Sequence, residues 1–559
     1  MTTLRARNLD KLGREPFDVL VVGGGINGAV AAACLAVRGA RVALVDRGDF
    51  AGLTSQSSSN LAWGGIKYME SFELGLVRKL CKSRNHLIAS YPSTVREIRF
   101  YVAHERGFRH PLWLLVLGAW LYWLIGGFFT RAPRRLSLAT IEREEPIVDP
   151  ARCDGGFEYS DAYLHDNDAR FVWGFVRRAL DHGCVAANYV ESLGARRQDD
   201  LWHVRVRDGL GGRELEVRAR VLVNAAGPYV DAHNALSGQT TRTHHAFSKG
   251  IHLLVDRLTP SQRVLTFFAD DGRLFFVIPM GPRTCIGTTD TKVEDPETEV
   301  TAEDRRFVLA NINKRLRLPR PLTEADVIAE RCGVRPLAIQ GDRGGPVDWM
   351  KLSRKHVVEV NEAERHLSVF GGKLTDCINV GEELCRLARR LGVVLAHPRR
   401  RWYGEPGAEL RREFFDQAAR MELDALTSPH SSEVLSLRLW RRYGADALAL
   451  LESIRADPHA AELLIEGAGY LRCEIELAAR REMVSKLEDF LRRRSKIALV
   501  IRHEDVMAAP GLREACRILF GAEADEKLAE YARRHGRGHE TRDGAAVDRN
   551  RIANEQNRT

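Results

Sequence analysis

Residues 17–46 read FDVLVVGGGINGAVAAACLAVRGARVALVD. FDVLVV (17–22) has the length and β-branched content of a short buried strand, and AVAAACLAV (29–37) reads as an apolar helix. Gly39 suits the end of that helix, and RVALV (41–45) is a second strand that stops at Asp46. The result is a strand, glycine turn, helix and strand within thirty residues, a βαβ unit. Gly23, Gly25 and Gly28 make the GxGxxG spacing at the point where this motif has physical meaning. The first glycine permits the tight turn, the second lets backbone approach a pyrophosphate, and the third lets helix and strand pack closely. Ile26 and Asn27 lie in the same turn, and Asp46, followed by Arg47, stands where an acid accepts hydrogen bonds from an adenosine ribose. NAD and FAD share this fingerprint, so the turn alone selects neither.

Around this unit lies a chain of 559 residues, long enough for about three or four domain-sized units. A composition of 44% hydrophobic and 28% charged residues excludes collagen-like and wholly disordered classes. The net charge of +9 fits nucleic acid, anionic membrane or small anionic substrates, but the basic residues are scattered and no aromatic and basic platform for nucleic acid is visible. Ten cysteines include no CxxC pair, and residues 1–17 lack the apolar stretch of a secretory signal. Free thiols, no metal site and a cytoplasmic location follow as expectations.

Residues 53–68 (LTSQSSSNLAWGGIKY) are rich in hydroxyls and glycine, as in a loop that approaches a ligand. A helix is expected over 170–183, with strands at 201–207, 214–218 and 220–224. Alternating apolar runs over 247–290 predict a largely antiparallel sheet. From about 405 the pattern turns helical, notably over 472–500, and the polar C-terminal end reads as disordered.

GGGINGAVAA, TSQSSSNLAWGGIKYME, GFEYSD, VLVNAAGPYVD, KGIHLLV, IGTTDT, CGVRPL and LSVFGGKLTD follow one another along the chain. Together they resemble the FAD-dependent glycerol-3-phosphate dehydrogenases of the D-amino-acid-oxidase-like flavoprotein superfamily. The resemblance covers about residues 17–380, and 470–499 resembles that family's helical C-terminal domain. It implies an α/β fold: a Rossmann-like FAD-binding domain, an antiparallel-sheet substrate domain and a helical C-terminal domain. The expected organisation is an N-terminal extension at 1–16 and an oxidoreductase core at 17–400. Within the core, the FAD domain would come from about 17–68, 152–245 and 331–400, and the substrate domain from about 69–151 and 246–330. A helical domain at 401–525 and a disordered tail at 526–559 complete the chain.

The implied reaction is oxidation of sn-glycerol 3-phosphate to dihydroxyacetone phosphate, with hydride passing to FAD and electrons to quinone. An oxidase using dioxygen, a dehydrogenase of another phosphorylated polyol, and a non-catalytic membrane-associated flavin-binding protein stay open. Such an oxidation needs a base for the hydroxyl proton and cations for the phosphate. His252 in KGIHLLV matches the family base, and Arg335 in CGVRPL and Lys373 in FGGKLT match its phosphate ligands. Lys67 and Tyr68 fall beside the phosphate where the family commonly has Arg-Tyr, and Thr289 in GTTD is placed to hold substrate or flavin. Gly227, Gly371, Gly372, Leu374 and Thr375 carry over as flavin contacts, joined by Gly64, Gly65 and the hydroxyls of Thr54, Ser55, Ser58 and Ser59. Trp63 and Asn60 stand where His and Lys are more usual, and Asp376 and Cys377 replace a more common Thr-Tyr.

Residues 112–129 (LWLLVLGAWLYWLIGGFF) carry no charge and approach the ~20 residues of a membrane span. A single crossing would place strands of one sheet in different compartments. The segment is therefore expected to lie in the interface at the inner face of the cell membrane or to be buried, with Trp113, Trp120 and Trp123 on one side and Gly118, Ala119, Tyr122 and Gly126 on the other. Arg131, Arg134 and Arg135 would then meet anionic lipid, and a homo-oligomer is compatible with the sequence.

Overall fold

The computed structural model describes residues 3–341, 355–429, 431 and 433–536. Two sheets and a helical C-terminal unit form the chain, in agreement with the fold class read from the sequence. In the first sheet the main path runs Val357–Asn361, His366–Phe370, Glu214–Asn224, Phe17–Val22, Val42–Val45 and Val185–Ala187, and Leu201–Asp208 joins Glu214–Asn224 with Val190–Gln198 beyond it. Phe17–Val22 pairs in parallel with Glu214–Asn224 on one side and Val42–Val45 on the other. Both faces of these central strands are covered, which accounts for their continuous apolar runs. The helix Ile26–Val37 packs against helices Asp168–Asp181 and Cys377–Arg390. Its ten residues from Gly28 to Val37 are all buried, and five alanines keep the approach close.

The second sheet is built mainly of antiparallel strands. Thr243–Asp256 is its long central element, flanked by Ala329–Gln340 on one side and by Arg283–Gly287 and Thr291–Val293 on the other. The sheet continues through Leu274–Met280, Val264–Phe268, Val95–Glu105, Cys153–Leu164 and Leu61–Ala62. Cys153–Leu164 and Ala329–Gln340 thus belong to this sheet, although the sequence divided them into the cofactor domain from 152 and 331. Their ladders with Val95–Glu105 and Thr243–Asp256 decide the matter, because long-range pairing partners are invisible to local pattern.

Two further expectations are corrected, and a third is refined. Residues 4–12 of the supposed extension form a helix, Leu4–Leu12, capped by the Thr3 hydroxyl. It buries Leu9 and Leu12, and Asn8 donates to the carbonyl of Ala186 in the edge strand at 2.8 Å. The supposed tail from 526 begins instead as the helix Ala524–His535, whose Ala524 and Tyr531 are buried, with acids in its first turn and Arg533, Arg534 and His535 in its last. Residues 537–559 lie outside the described residues. Finally, the stretch 472–500 is not one helix: Arg472–Arg481 ends, and the chain resumes as a π-helical turn, Asp489–Arg494, and a short helix, Ile497–Val500. The Asp489 carboxylate accepts the backbone N–H groups of Ser485 and Lys486, both at 2.8 Å, and so restarts the chain.

The apolar segment forms a helix of 14 residues, Leu112–Ile125. Among the described residues, no helix is long and apolar enough to cross a membrane. Ala119, Tyr122 and Gly126 face inward, whereas Trp113, Leu117, Trp120 and Leu124 are exposed. Trp123 is half-buried and donates its indole N–H to the Thr130 carbonyl at 2.6 Å.

Candidate flavin and substrate site

The glycine turn sits between Phe17–Val22 and Ile26–Val37, and its shape follows from backbone contact. Gly23 has φ +100°, and a Cβ there would stand 2.4 Å from the Ala225 carbonyl oxygen. A Cβ on Gly28 would stand 1.8 Å from the oxygen of Gly23. Gly25 faces only the Ser55 hydroxyl, and Gly227, at φ +60°, opens onto free space. The Asp46 carboxylate accepts from the backbone N–H of Gly24 at 2.6 Å and of Gly48 at 2.8 Å. Burial pushes its acid up to about 6 against the pull of those two donors. Each oxygen keeps a further lone pair, so the expected ribose contact is compatible with this tie. Arg47 is turned aside: it pairs with Glu297 and lies over the Tyr229 ring at 3.7 Å.

Asn27 joins this turn to a segment far along the chain. Its amide donates to the Gly371 carbonyl at 2.9 Å, and its buried Oδ1, next to Gly372, has no hydrogen-bond partner among the described residues. Gly371 and Gly372 have φ +62° and +109°, a backbone that disfavours any side chain. Leu374 and Thr375 follow in a short helical turn, and the Thr375 hydroxyl donates to the Trp63 carbonyl at 3.4 Å.

The hydroxyl-rich loop serves the protein as much as a ligand. Thr54 donates to the Val334 carbonyl at 2.7 Å, and Ser55 accepts the Ile26 N–H at 3.0 Å. The Ser58 hydroxyl accepts from the Asn60 N–H, while Ser58 N–H donates to Asp168; Ser59 is half-buried. Protein packing alone demands the next two glycines: a Cβ on Gly64 would meet the Tyr122 hydroxyl at 2.1 Å, and one on Gly65 the Tyr68 ring at 2.7 Å.

The residues expected on the substrate side lie on neighbouring strands of the second sheet. His252 stands opposite Gly287 on one side and Arg331 on the other. It is 2% exposed, and neither ring nitrogen has a hydrogen-bond partner among the described residues. Burial, reinforced by the charges of Arg331 and Arg335, pulls its pKa down to about 3, so the imidazole is neutral. Arg335 lies across Gly250, where a Cβ would be 2.1 Å from its Nη2. It donates to the Thr288 hydroxyl at 3.0 Å and faces Asp290 at 3.5 Å. The Thr289 hydroxyl accepts the Ile251 N–H at 3.1 Å, which makes it first of all a sheet contact.

Lys373 and Lys67 gather on one ring, with their ammonium groups 4.3 and 5.8 Å from the Tyr68 centroid. Trp63 connects this group to the histidine. Its indole donates to the Tyr159 hydroxyl at 3.2 Å and meets Phe276 edge-on at 6.4 Å, and Phe276 pairs across the sheet with Gly287, the neighbour of His252.

Two contributors escaped the sequence reading. Arg331 is buried and donates to the Ser58 carbonyl and to Asn60 Oδ1 at 2.6 and 2.7 Å. The period of two along the strand, which puts 331, 333 and 335 on one face, was the signal that could have found it. His356 pairs with Asp376 at 3.2 Å and Glu383 at 2.9 Å, fixing the turn after Lys373 from behind.

Residues 18–367 match the family model of FAD dependent oxidoreductases, and residues 406–527 match the C-terminal domain of alpha-glycerophosphate oxidase. The chain belongs to the FAD-dependent oxidoreductases. Glycerol-3-phosphate dehydrogenase 2 of Mycobacterium tuberculosis is 32% identical over 540 residues, covering 95% of this chain and 90% of its own. D-erythritol 1-phosphate dehydrogenase of Brucella abortus is 31% identical, covering 86% of this chain and 94% of its own. The structure of the glycerol-3-phosphate dehydrogenase from Bacillus halodurans complexed with FAD superposes with a TM-score of 0.70 over 95% of this chain and 97% of that one, at 24% identity. FAD is the cofactor of this oxidoreductase, and the residues present fit it: a helix N-terminus behind a glycine turn, open space before Gly227, and the orphaned Asn27 Oδ1.

Gly28→Ala forces the turn away from the strand, because the added methyl has only backbone to meet. The purified variant is expected to lose its flavin absorbance and about 1–3 kcal/mol or more of stability in denaturant titration. Retention of both at the parent level would show that the close crossing is dispensable.

Proposed function

We propose that this oxidoreductase oxidises sn-glycerol 3-phosphate to dihydroxyacetone phosphate and passes the electrons to quinone at a membrane surface. The observation that carries the reading is the juxtaposition of a buried neutral imidazole, His252, with the Arg335 guanidinium on the adjacent strand. When bound, FAD supplies the two-electron acceptor. The side chains do the rest. Arg335 offers its planar fork to the substrate phosphate, and Lys373 and Lys67 add charge from the Tyr68 side. His252 takes the hydroxyl proton on a ring nitrogen. In the free protein burial, reinforced by the neighbouring cations, depresses its basicity; a bound phosphate dianion offsets the cationic part and strengthens the base to that extent. The relatives named glycerol-3-phosphate dehydrogenase support this substrate.

Lys67 in place of the usual arginine, together with the Brucella relative, supports a second reading, a longer phosphorylated polyol. Anaerobic mixing with a panel of phosphorylated alcohols tests both: glycerol 3-phosphate is expected to bleach the flavin fastest. Preference for a four-carbon polyol phosphate favours the second reading, and no bleaching by any member leaves a flavin-binding protein without turnover.

Arg335→Ala is expected to raise KM by about tenfold or more with FAD retained, as for loss of a charged hydrogen bond of about 1.5–3 kcal/mol. His252→Ala should act chiefly on kcat. A base that titrates near 3 in the free protein stays competent as pH falls, so kcat/KM should show no acid limb from this group between about pH 8 and about pH 5. An acid limb near the ordinary imidazole value that disappears in His252→Ala would contradict the depressed basicity, and an unchanged kcat in His252→Ala would contradict the assignment as base.

The membrane reading rests on the exposed apolar surface of Leu112–Ile125 and what adjoins it. Trp113 is 64% exposed and Leu117 57%, Phe128 and Phe129 follow at 55% and 48%, and Phe72, beside the turn that packs on this helix, reaches 84%. Such a patch is larger than solitary surface residues explain, and the exposed Arg109 and Arg131 lie at its rim. Co-sedimentation with anionic vesicles at low salt is expected, and Leu117→Glu combined with Trp120→Glu should abolish it without loss of FAD. Equal binding by parent and variant, or none by the parent, refutes this docking face.

A further inference from the structure

The C-terminal unit reaches into the cofactor domain at one buried carboxylate. Asp49 lies in the loop 46–56 that follows the second parallel strand, and its side chain is fully buried. Arg494 donates to both of its oxygens at 2.8 Å, Arg493 Nε donates to Oδ2 at 2.7 Å, and Asn188 donates to Oδ1 at 2.8 Å. Both arginines belong to the end of the π-helical turn Asp489–Arg494, and both are almost completely buried. That turn is itself fixed. The Tyr189 hydroxyl donates to Asp489 at 2.6 Å, and Asn167 donates to the carbonyls of Arg492 and Ser495. Arg492 then donates to the Gln56 carbonyl at 2.9 Å, and Arg493 to the Gln56 side chain at 3.3 Å, so the far end of the loop is held as well.

The opposite side of the same loop forms the wall of the glycine turn. Asp46 takes the Gly24 N–H, the Ala51 N–H donates to the Gly24 carbonyl at 3.0 Å, and Ser55 takes the Ile26 N–H. The Phe50 ring packs so closely on Gly24 that a Cβ there would meet it at 2.3 Å. A loop pinned by guanidinium groups on one side therefore sets the position of the cofactor turn on the other. Inserted π-helical turns are found preferentially where backbone must place side chains for function.

We propose that Arg493 and Arg494 are positioning residues through which the C-terminal unit retains FAD, by fixing loop 46–56 against the glycine turn. This role is independent of which alcohol is oxidised, because it concerns the nucleotide side of the site. Without the clamp, the loop keeps its sequence but loses its anchor, and the turn behind it opens to exchange.

The test is release of FAD from the full-length holoprotein, followed by the rise in flavin fluorescence under dilution, at a temperature where circular dichroism shows the variants folded. Arg494→Gln and Asp49→Asn should each speed release by about tenfold or more, and the double variant should be no faster than the quicker single one, since both remove one clamp. Arg494→Lys, which keeps one charged donor, should fall between them and the parent. Glu482→Gln is the control: it breaks the buried pair with Arg170 at 2.6 Å across the same interface, while the Glu482 backbone carbonyl that accepts from Arg494 Nε at 3.0 Å and the loop itself are left as they are. Its release rate should stay at the parent value. Unchanged release from Arg494→Gln overturns the proposal, and so does equally fast release from Glu482→Gln, which would mean general loosening of the interface. If Arg494→Gln does not fold, Tyr189→Phe decides, because it frees Asp489 of the π-helical turn and leaves the loop's own side chains intact: faster release supports the clamp and unchanged release refutes it.

Discussion

Two stretches of backbone pass each other at residues 23–28 more closely than any side chain permits. The Gly23 oxygen occupies the place of a Cβ on Gly28, and the Ala225 oxygen that of a Cβ on Gly23. This crossing sets the height of the helix Ile26–Val37 over its strand, and with it the direction of the helix N-terminus. The side chains bonded around the turn are referred to it. Asp46 and Ser55 cap its N–H groups, and Asn27 carries its position to Gly371, 344 residues away in sequence. A βαβ unit can form from local pattern alone, but a nucleotide site needs the distant glycines of 371–372 to arrive at the same place, and one side-chain amide supplies that registration.

The substrate side is organised by charge. The second sheet places Arg331 and Arg335 on one face of a strand and His252 beside them on the next, so the imidazole lies in a cationic field and has no protein partner among the described residues. Lys249, by contrast, is held by Asp304 at 2.6 Å and leaves that field unchanged. An arrangement of this kind is poor for stability, since buried like charges repel, and good for an anionic ligand whose arrival relieves the repulsion. Burial, with that field added, keeps the imidazole neutral, and a negative charge placed beside it is favoured.

Much of this was legible in the chain. The spacing of Gly23, Gly25 and Gly28 against strand and helix fixes the first unit, and the short motifs around His252 and Arg335 fall on two strands that pair with each other, while that around Lys373 brings its ammonium over the Tyr68 ring. What could not be read depends on partners far away in sequence. Cys153–Leu164 has no local mark of the sheet it joins, and the helix Leu4–Leu12 is polar except for the few residues it buries. Arg331 was overlooked because its role is to face Asn60 and Ser58, more than 270 positions earlier. The break at 481–489 was hidden by good helical periodicity, and only the burial of Asp489 against Tyr189 and Arg493 shows why a carboxylate interrupts it.

The positions at which this sequence departs from its resemblance are occupied by residues with work of their own. Trp63 ties the loop of Lys67 to Tyr159 and Phe276, a contact that holds the loop by shape as well as by hydrogen bond. Asn60 provides the acceptor that Arg331 needs in a buried setting. Asp376 is buried, which would raise its acid, yet hydrogen bonds from His356, Asn379, Ser83 and Lys79 hold it well below the usual carboxylate range. Its backbone N–H donates to the Lys373 carbonyl at 2.9 Å, so the network fixes the residue that carries the ammonium. Trp63, Asn60 and Asp376 therefore come with partners of their own. Lys67 differs in kind. A point charge over Tyr68 stands where the resemblance has a planar fork, which keeps the sign of the charge and gives up the bidentate geometry.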